Sequence, residues 1–196
     1  MKVGMIFECG PQGADVGVCT TLARKISPNI VIEHATLGNK KILVDECGVA
    51  ARALLSTGCE KVIIVWDLYP AWRENRERPC RHEDRETIFQ SLANADVNLN
   101  KVALVCIQEE LEAWLIADGR ALSSHLSRPA HPVTIGDIKN VERISNPKKR
   151  LMNIFKQNTG RPYSDSADAP KIAKAIPDFS RLEKVPTFAR FMEKVK

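Results

Sequence analysis

Six acidic side chains stand where an α/β chain could use them: Glu8, Asp15, Asp67, Glu109, Glu110 and Glu112. Glu8 follows the apolar run Val3–Phe7, Asp67 ends the run Val62–Trp66, and the three later glutamates follow Val102–Ile107. Open parallel sheets gather ligand sites at the carboxyl ends of their strands. Carboxylates brought together repel unless protons or cations offset the charge. Hard oxygen donors of this kind suit Mg²⁺ or Mn²⁺, which can polarise a phosphoryl oxygen and generate a hydroxide nucleophile. Each acid alone has an ordinary reading as a strand-end residue or, for Glu109 and Glu110, as first-turn residues favoured by a helix dipole. Their combination points to a metal.

The elements needed to position these acids can be read from the pattern. Val62-Ile63-Ile64-Val65-Trp66 is apolar on both faces, as expected of a central parallel strand. Strands are also expected at Val3–Phe7, Asn29–Thr36 and Val102–Ile107. Helices are expected over Asp15–Ile26, Lys41–Ser56, Arg85–Asn94 and Glu109–Ala117, alternating with the strands as in a parallel sheet. Residues 73–85, with dense mixed charge and Pro79, read as a long exposed loop. Beyond Gly119 the pattern changes. Asn146-Pro147 opens a helix to about Lys156, Asn as cap and Pro at the first position. Further helices are expected over Asp168–Ala175 and Thr187–Val195. The division is an α/β core over residues 1–118 and a mostly helical, basic extension over 119–196 packed on it.

Composition bounds the rest. The chain has 196 residues, 44% of them hydrophobic, and a net charge of +5. From Lys139 to Lys196 there are fourteen Lys/Arg against six Asp/Glu. An acidic core beside a basic tail suits a metal and a polyanion. No apolar run reaches the ~20 residues of a membrane span, and the N-terminus does not read as a signal peptide, so a cytoplasmic protein is expected. Six cysteines without a CxxC pair read as reduced thiols.

Several further features bear on nucleic acid. Tyr69 and Trp72 with Arg73, Arg76, Arg78 and Arg81 could stack on bases and pair with phosphates, or form a self-paired loop. Lys148, Lys149 and Arg150 could face phosphates or solvent. Gly10, Gly13 and Gly17 could cradle a phosphate. His82 reads as a surface residue. The absence of GxxxxGK[ST], GxGxxG and DxDx[TV] strings argues against ATP hydrolysis, a dinucleotide site and an aspartyl phosphatase.

Glu8, the helix carrying Asp15, Asp67, and the segment Glu110-Leu111-Glu112-Ala113-Trp114-Leu115-Ile116-Ala117-Asp118 resemble a bacterial group of Toprim-related proteins, domain-of-unknown-function family 4276. That group is similar to the Toprim half of OLD-type nucleases. Asn146-Pro147-Lys148-Lys149 and Pro186-Thr187-Phe188-Ala189-Arg190-Phe191 fit it too, so the resemblance covers nearly the whole chain. It implies a Toprim-like, Rossmann-like central parallel sheet flanked by helices, and Mg²⁺- or Mn²⁺-dependent cleavage of DNA or RNA. Glu8, Asp67 and Glu112 would be catalytic. Glu8, Asp15, Asp67, Glu110 and Glu112 would supply metal ligands, and Arg73, Arg76, Lys148, Lys149 and Arg150 would hold nucleic acid. Two departures stand out: Tyr69 replaces the second aspartate of the family's Asp-x-Asp motif, and the loop after Glu8 is longer than a plain Glu-Gly start. The resemblance also implies an ABC- or SMC-like ATPase partner in phage defence. The competing expectation is a catalytically decayed subunit that binds nucleic acid or that ATPase. Self-association is left open.

Overall fold

A computed structural model describes residues 1–72 and 78–196. Strands β1 (Lys2–Phe7), β2 (Val31–Thr36), β3 (Lys61–Asp67) and β4 (Val102–Ile107) pair in parallel in the order β2-β1-β3-β4. Helices α1 (Ala14–Ile26), α2 (Lys40–Ser56), α3 (Arg81–Asn94), α4 (Glu112–Ile116), α5 (Gly119–Leu126), α6 (Pro147–Thr159), α7 (Asp165–Ala175) and α8 (Pro186–Val195) complete a Rossmann-like α/β fold. No helix among the described residues is long and apolar enough to cross a membrane.

The sheet has two buried faces because its central strands alternate apolar side chains to both. Val3, Met5, Phe7, Ile63, Val65, Val105 and Ile107 pack with α1 and with the C-terminal helices. Ile6, Val62, Ile64, Trp66 and Cys106 pack with α2 and α3. The basic C-terminal part is therefore continuous with the core: Leu151, Phe155, Ile172, Phe188 and Phe191 fill the first face while their charged neighbours face outward. Trp114 joins the two parts, edge-on to Phe188 and donating its indole N–H to Thr187 Oγ1 at 2.9 Å.

Three helix starts differ from the sequence reading by three residues or more, and one helix is additional. The helix expected from Arg85 begins at Arg81, so residues 81–85 of the expected loop are helical, while residues 73–77 of it lie outside the described residues. The helix expected from Glu109 begins at Glu112, because Glu109 adopts φ 65°, which no helix accommodates. The Glu109 carbonyl instead accepts the Tyr69 N–H, extending the tie between β3 and β4. Helix α7 starts one turn early, at Asp165. Helix α5 was not foreseen, although Asp118 caps it through the N–H groups of Arg120 and Ala121.

Helices α2 and α3 touch backbone to backbone at Gly48. A Cβ there would lie 2.1 Å from the Ser91 carbonyl oxygen. Gly48→Ala must separate the helices, at a cost of roughly 1–3 kcal/mol. Urea denaturation of the variant is expected to show that loss; an unchanged midpoint would mean that the contact is slack.

A candidate acidic site at the carboxyl edge of the sheet

Because β2 lies on one side of β1 and β3 on the other, the crevice between the carboxyl ends of β1 and β3 is the switch point of the sheet. Glu8 follows β1 and Asp67 closes β3. Phe7 pairs with Val65, so Glu8 is level with Trp66 and Asp67 is one residue further along. Strand alternation assigns Asp67 to the α1 side with Ile63 and Val65. It assigns Glu8, at a bend, to the α2–α3 side with Ile6. The two carboxylates thus leave the sheet by opposite faces, but at its rim rather than in its middle. The charges that reach Glu8 come from both layers: Asp15 on α1, Lys40 on α2 and Asp84 on α3. The Asp67 backbone amide lies near the Glu8 carboxylate and favours its charged form.

The acids share one electrostatic neighbourhood. Burial, then the Asp15 charge, push the Glu8 pKa up to about 8 against the opposing pull of Lys40 and the Asp67 amide. The Glu8 Oε2 atom is buried and has no hydrogen-bond partner. Asp67 is raised well above the ordinary range by burial and by the charges of Asp15, Glu8 and Glu112; an N–H from Leu111 opposes this. Asp15 is raised by burial, with a hydrogen bond from the Cys9 thiol and the Lys148 charge acting against it. Glu112 is raised to about 7 by burial, helped by Glu110 and Asp15 and opposed by Lys148. The Tyr163 hydroxyl donates to Glu112 Oε1 at 3.3 Å.

These carboxylates do not close on one point. Among the described residues, no group of three His, Cys, Asp or Glu side chains is placed to hold a metal ion. The donor chemistry nevertheless fits a hard divalent cation, with an orphaned carboxylate oxygen on Glu8 and like charges held in burial by mutual expense. Closing the set on an ion requires side-chain movement at the rim.

The remaining sequence candidates have distinct places. Glu110 Oε2 accepts the Lys148 N–H at 3.1 Å and so caps the first turn of α6. The Lys148 side chain bridges to Asp165 at 2.7 Å and adds positive charge beside the acids. Lys149 and Arg150 are exposed on the same helix. Arg73 and Arg76 lie outside the described residues. Tyr69 packs against the apolar α2–α3 cluster. His82 is exposed on α3, its Nδ1 3.2 Å from Glu86. Gly17 serves packing, since a Cβ there would meet Pro170 Cγ at 2.6 Å.

Sequence reasoning missed Lys40 and Asp84. Both are buried, with Lys40 Nζ 3.2 Å from Asp84 Oδ2. Lys40 also donates to the Leu68 carbonyl at 2.6 Å and the Pro70 carbonyl at 3.2 Å. Asp84 accepts the indole N–H groups of Trp66 at 3.0 Å and Trp72 at 2.7 Å. The pair fastens the segment that leaves Asp67. No local signal marks it, because its members stand 44 residues apart in a chain of ordinary charged residues.

The raised pKa values set the sign of a pH effect. The folded chain retains protons on Glu8 and Glu112 that the unfolded chain releases above the ordinary value of 4.5. Their contribution to stability is complete below that value and is lost as pH rises through about 7 and 8. In EDTA, Tm is expected to fall between about pH 5 and about pH 8.5. A level profile in differential scanning fluorimetry would contradict the burial of these acids.

Fold and site together define an α/β protein of Rossmann-like architecture with a cluster of acidic residues at the switch point of its sheet. The chain belongs to the family described as Domain of unknown function (DUF4276), whose family model matches residues 13–196. Glu8 precedes the matched region. A search of curated proteins finds no match.

Proposed function

We propose that this protein is a metal-dependent nuclease that hydrolyses phosphodiester bonds of DNA or RNA, with Mg²⁺ or Mn²⁺ held by Glu8, Asp15, Asp67 and Glu112. The observation that carries the reading is the gathering of these acids, after β1, on α1, at the end of β3 and on α4, in one partly buried neighbourhood, where Asp15 raises the cost of charge on the other three. The resemblance to Toprim proteins of the OLD type supports the same chemistry. A bound divalent cation supplies a Lewis acid for a phosphoryl oxygen and lowers the pKa of bound water.

The chain's own residues have the following parts. Lys148, near the acids, and exposed Lys149 and Arg150 hold the phosphate backbone. Tyr163 orients the Glu112 carboxylate through its hydroxyl. Lys40 keeps an opposing charge near Glu8 and holds the segment after Asp67. Glu110 acts from the α6 terminus, orienting that helix rather than completing the metal set. With Tyr69 at the second Asp-x-Asp position, a single metal suits the donor set better than two.

Incubation of supercoiled plasmid and of single-stranded RNA with the purified chain in Mn²⁺ or Mg²⁺ tests the proposal. Cleavage that EDTA stops supports it. Absence of cleavage together with absence of Mn²⁺ binding in titration calorimetry rejects it.

One observation favours a second reading. Tyr69 is packed against an apolar cluster and, among the described residues, no three acids are closed on a common point, as in a decayed site. The chain would then be a regulatory module that binds nucleic acid or an ABC- or SMC-like ATPase in phage defence. Nucleic-acid binding without metal binding would select this reading.

A further inference from the structure

A concavity lies away from the acids, beyond the C-terminal end of α4. Its volume is about 450 Å³, within the range of small-molecule sites. Its apolar wall is formed by Ala117, Ile138, Val141 and Val185, of which Ala117, Val141 and Val185 are buried. Its polar lining is dominated by cations: Lys139, Arg143, Arg181 and Lys184 against Asp137 and Glu142.

The two acids are already engaged. Asp137 Oδ2 pairs with Arg181 at 2.8 Å, and its Oδ1 accepts the Gly119 N–H at 3.2 Å. Glu142 Oε1 accepts the Thr187 main-chain N–H at 2.8 Å and the Thr187 hydroxyl, which fixes the first turn of α8. That leaves Lys139, Arg143 and Lys184, from a loop and two separate 3-10 turns (Val141–Arg143 and Leu182–Lys184). Among the described residues, none of the three side chains has a hydrogen bond or ion pair. Cations gathered around one concavity repel each other until an anion arrives.

We propose that this pocket binds a small organic phosphate of mononucleotide size. The phosphate would pair with Lys139, Arg143 and Lys184, and the organic body would cover the apolar wall. The volume and the buried apolar wall at its base match a single small molecule. None of the lining residues belongs to the acidic cluster, so the proposal does not depend on the nuclease reading.

The test is titration calorimetry of the full chain in EDTA with adenosine, guanosine, cytidine and uridine 5′-monophosphates, their parent nucleosides, inorganic phosphate and a twelve-nucleotide single strand. The comparison proteins are the exposed double variant Arg143→Gln/Lys184→Gln and the acidic-site variant Glu8→Gln. At least one monophosphate should bind more tightly than its nucleoside and than inorganic phosphate. The double variant should weaken it at least about tenfold, while Glu8→Gln should leave it unchanged. The proposal is overturned if no monophosphate binds at millimolar concentration, if the double variant binds as well as the parent, or if only the oligonucleotide binds. Circular dichroism of the double variant separates lost binding from lost folding.

Discussion

Asp67→Asn is expected to reduce metal-dependent cleavage by roughly 10²–10³-fold while making the metal-free protein more stable. Both effects have one cause. Asp67 is half-buried at the end of the central strand, with its pKa raised well above the ordinary range by desolvation and by Asp15, Glu8 and Glu112. Asn is nearly isosteric and keeps an oxygen that can accept the Leu111 N–H, but it carries no charge. It therefore weakens the attraction for a cation and relieves repulsion among its neighbours. In EDTA at pH 8, Tm should rise by a few degrees, at about 2–4 °C per kcal/mol for a chain of this size. Adding Mn²⁺ should stabilise the parent chain and leave Asp67→Asn nearly unmoved. Parent-like cleavage by the variant would remove Asp67 from the proposed mechanism. A lower Tm in EDTA would show that the carboxylate contributes structure rather than strain.

The second large effect is expected at Asp84, outside the set of acids that the sequence pointed to. Asp84→Ala leaves the Lys40 ammonium buried without its carboxylate and removes the acceptor of two indole N–H groups. Breaking one side of a buried ion pair costs roughly 3–5 kcal/mol, which corresponds to a Tm lower by about 6–20 °C. The compensating variant separates cause from consequence. In Lys40→Met/Asp84→Leu no unpaired charge remains, and most of the lost stability should return even though more polar contacts are gone. If the double variant is as unstable as the single, the loss comes from the Trp66 and Trp72 contacts and not from the unpaired charge. Because Lys40 also holds the carbonyls of Leu68 and Pro70, Asp84→Ala should impair cleavage beyond its thermal effect when assayed well below its Tm.

The Lys40–Asp84 pair and the acidic cluster are tied to each other physically. The Lys40 charge lowers the Glu8 pKa while that of Asp84 raises it, so the pair tunes the acid beside it as well as anchoring the segment after β3. The opposite flank of the cluster is tied to the basic helices: Lys148 lowers the pKa of both Asp15 and Glu112, and Glu110 caps the helix that carries Lys148. The acids are thus set between one buried cation and one half-buried cation, each delivered by a different layer.

The sequence by itself determined what depends on neighbours in the chain. The unbroken apolar run Val62–Trp66 pointed to a strand covered on both faces, and β3 is one. Asn146 followed by Pro147 marked a helix start, and the Asn146 side chain does accept the Lys149 N–H. The placing of Glu8, Asp67 and Glu112 near strand ends was also legible, because strand ends follow from apolar runs. The tertiary structure decided what depends on distant parts. The parity of β1 against β3 sent Glu8 and Asp67 toward opposite faces of the rim, a consequence of register that no single strand carries. The left-handed residue Glu109 delayed α4 by one turn, and its carbonyl accepts the N–H of Tyr69 from the segment after β3. Lys40 and Asp84 became a buried pair only because α2 and α3 pack on the same face. Local patterns specify elements because hydrogen bonding and side-chain spacing act over a few residues; which charges share a pocket depends on the packing of whole layers.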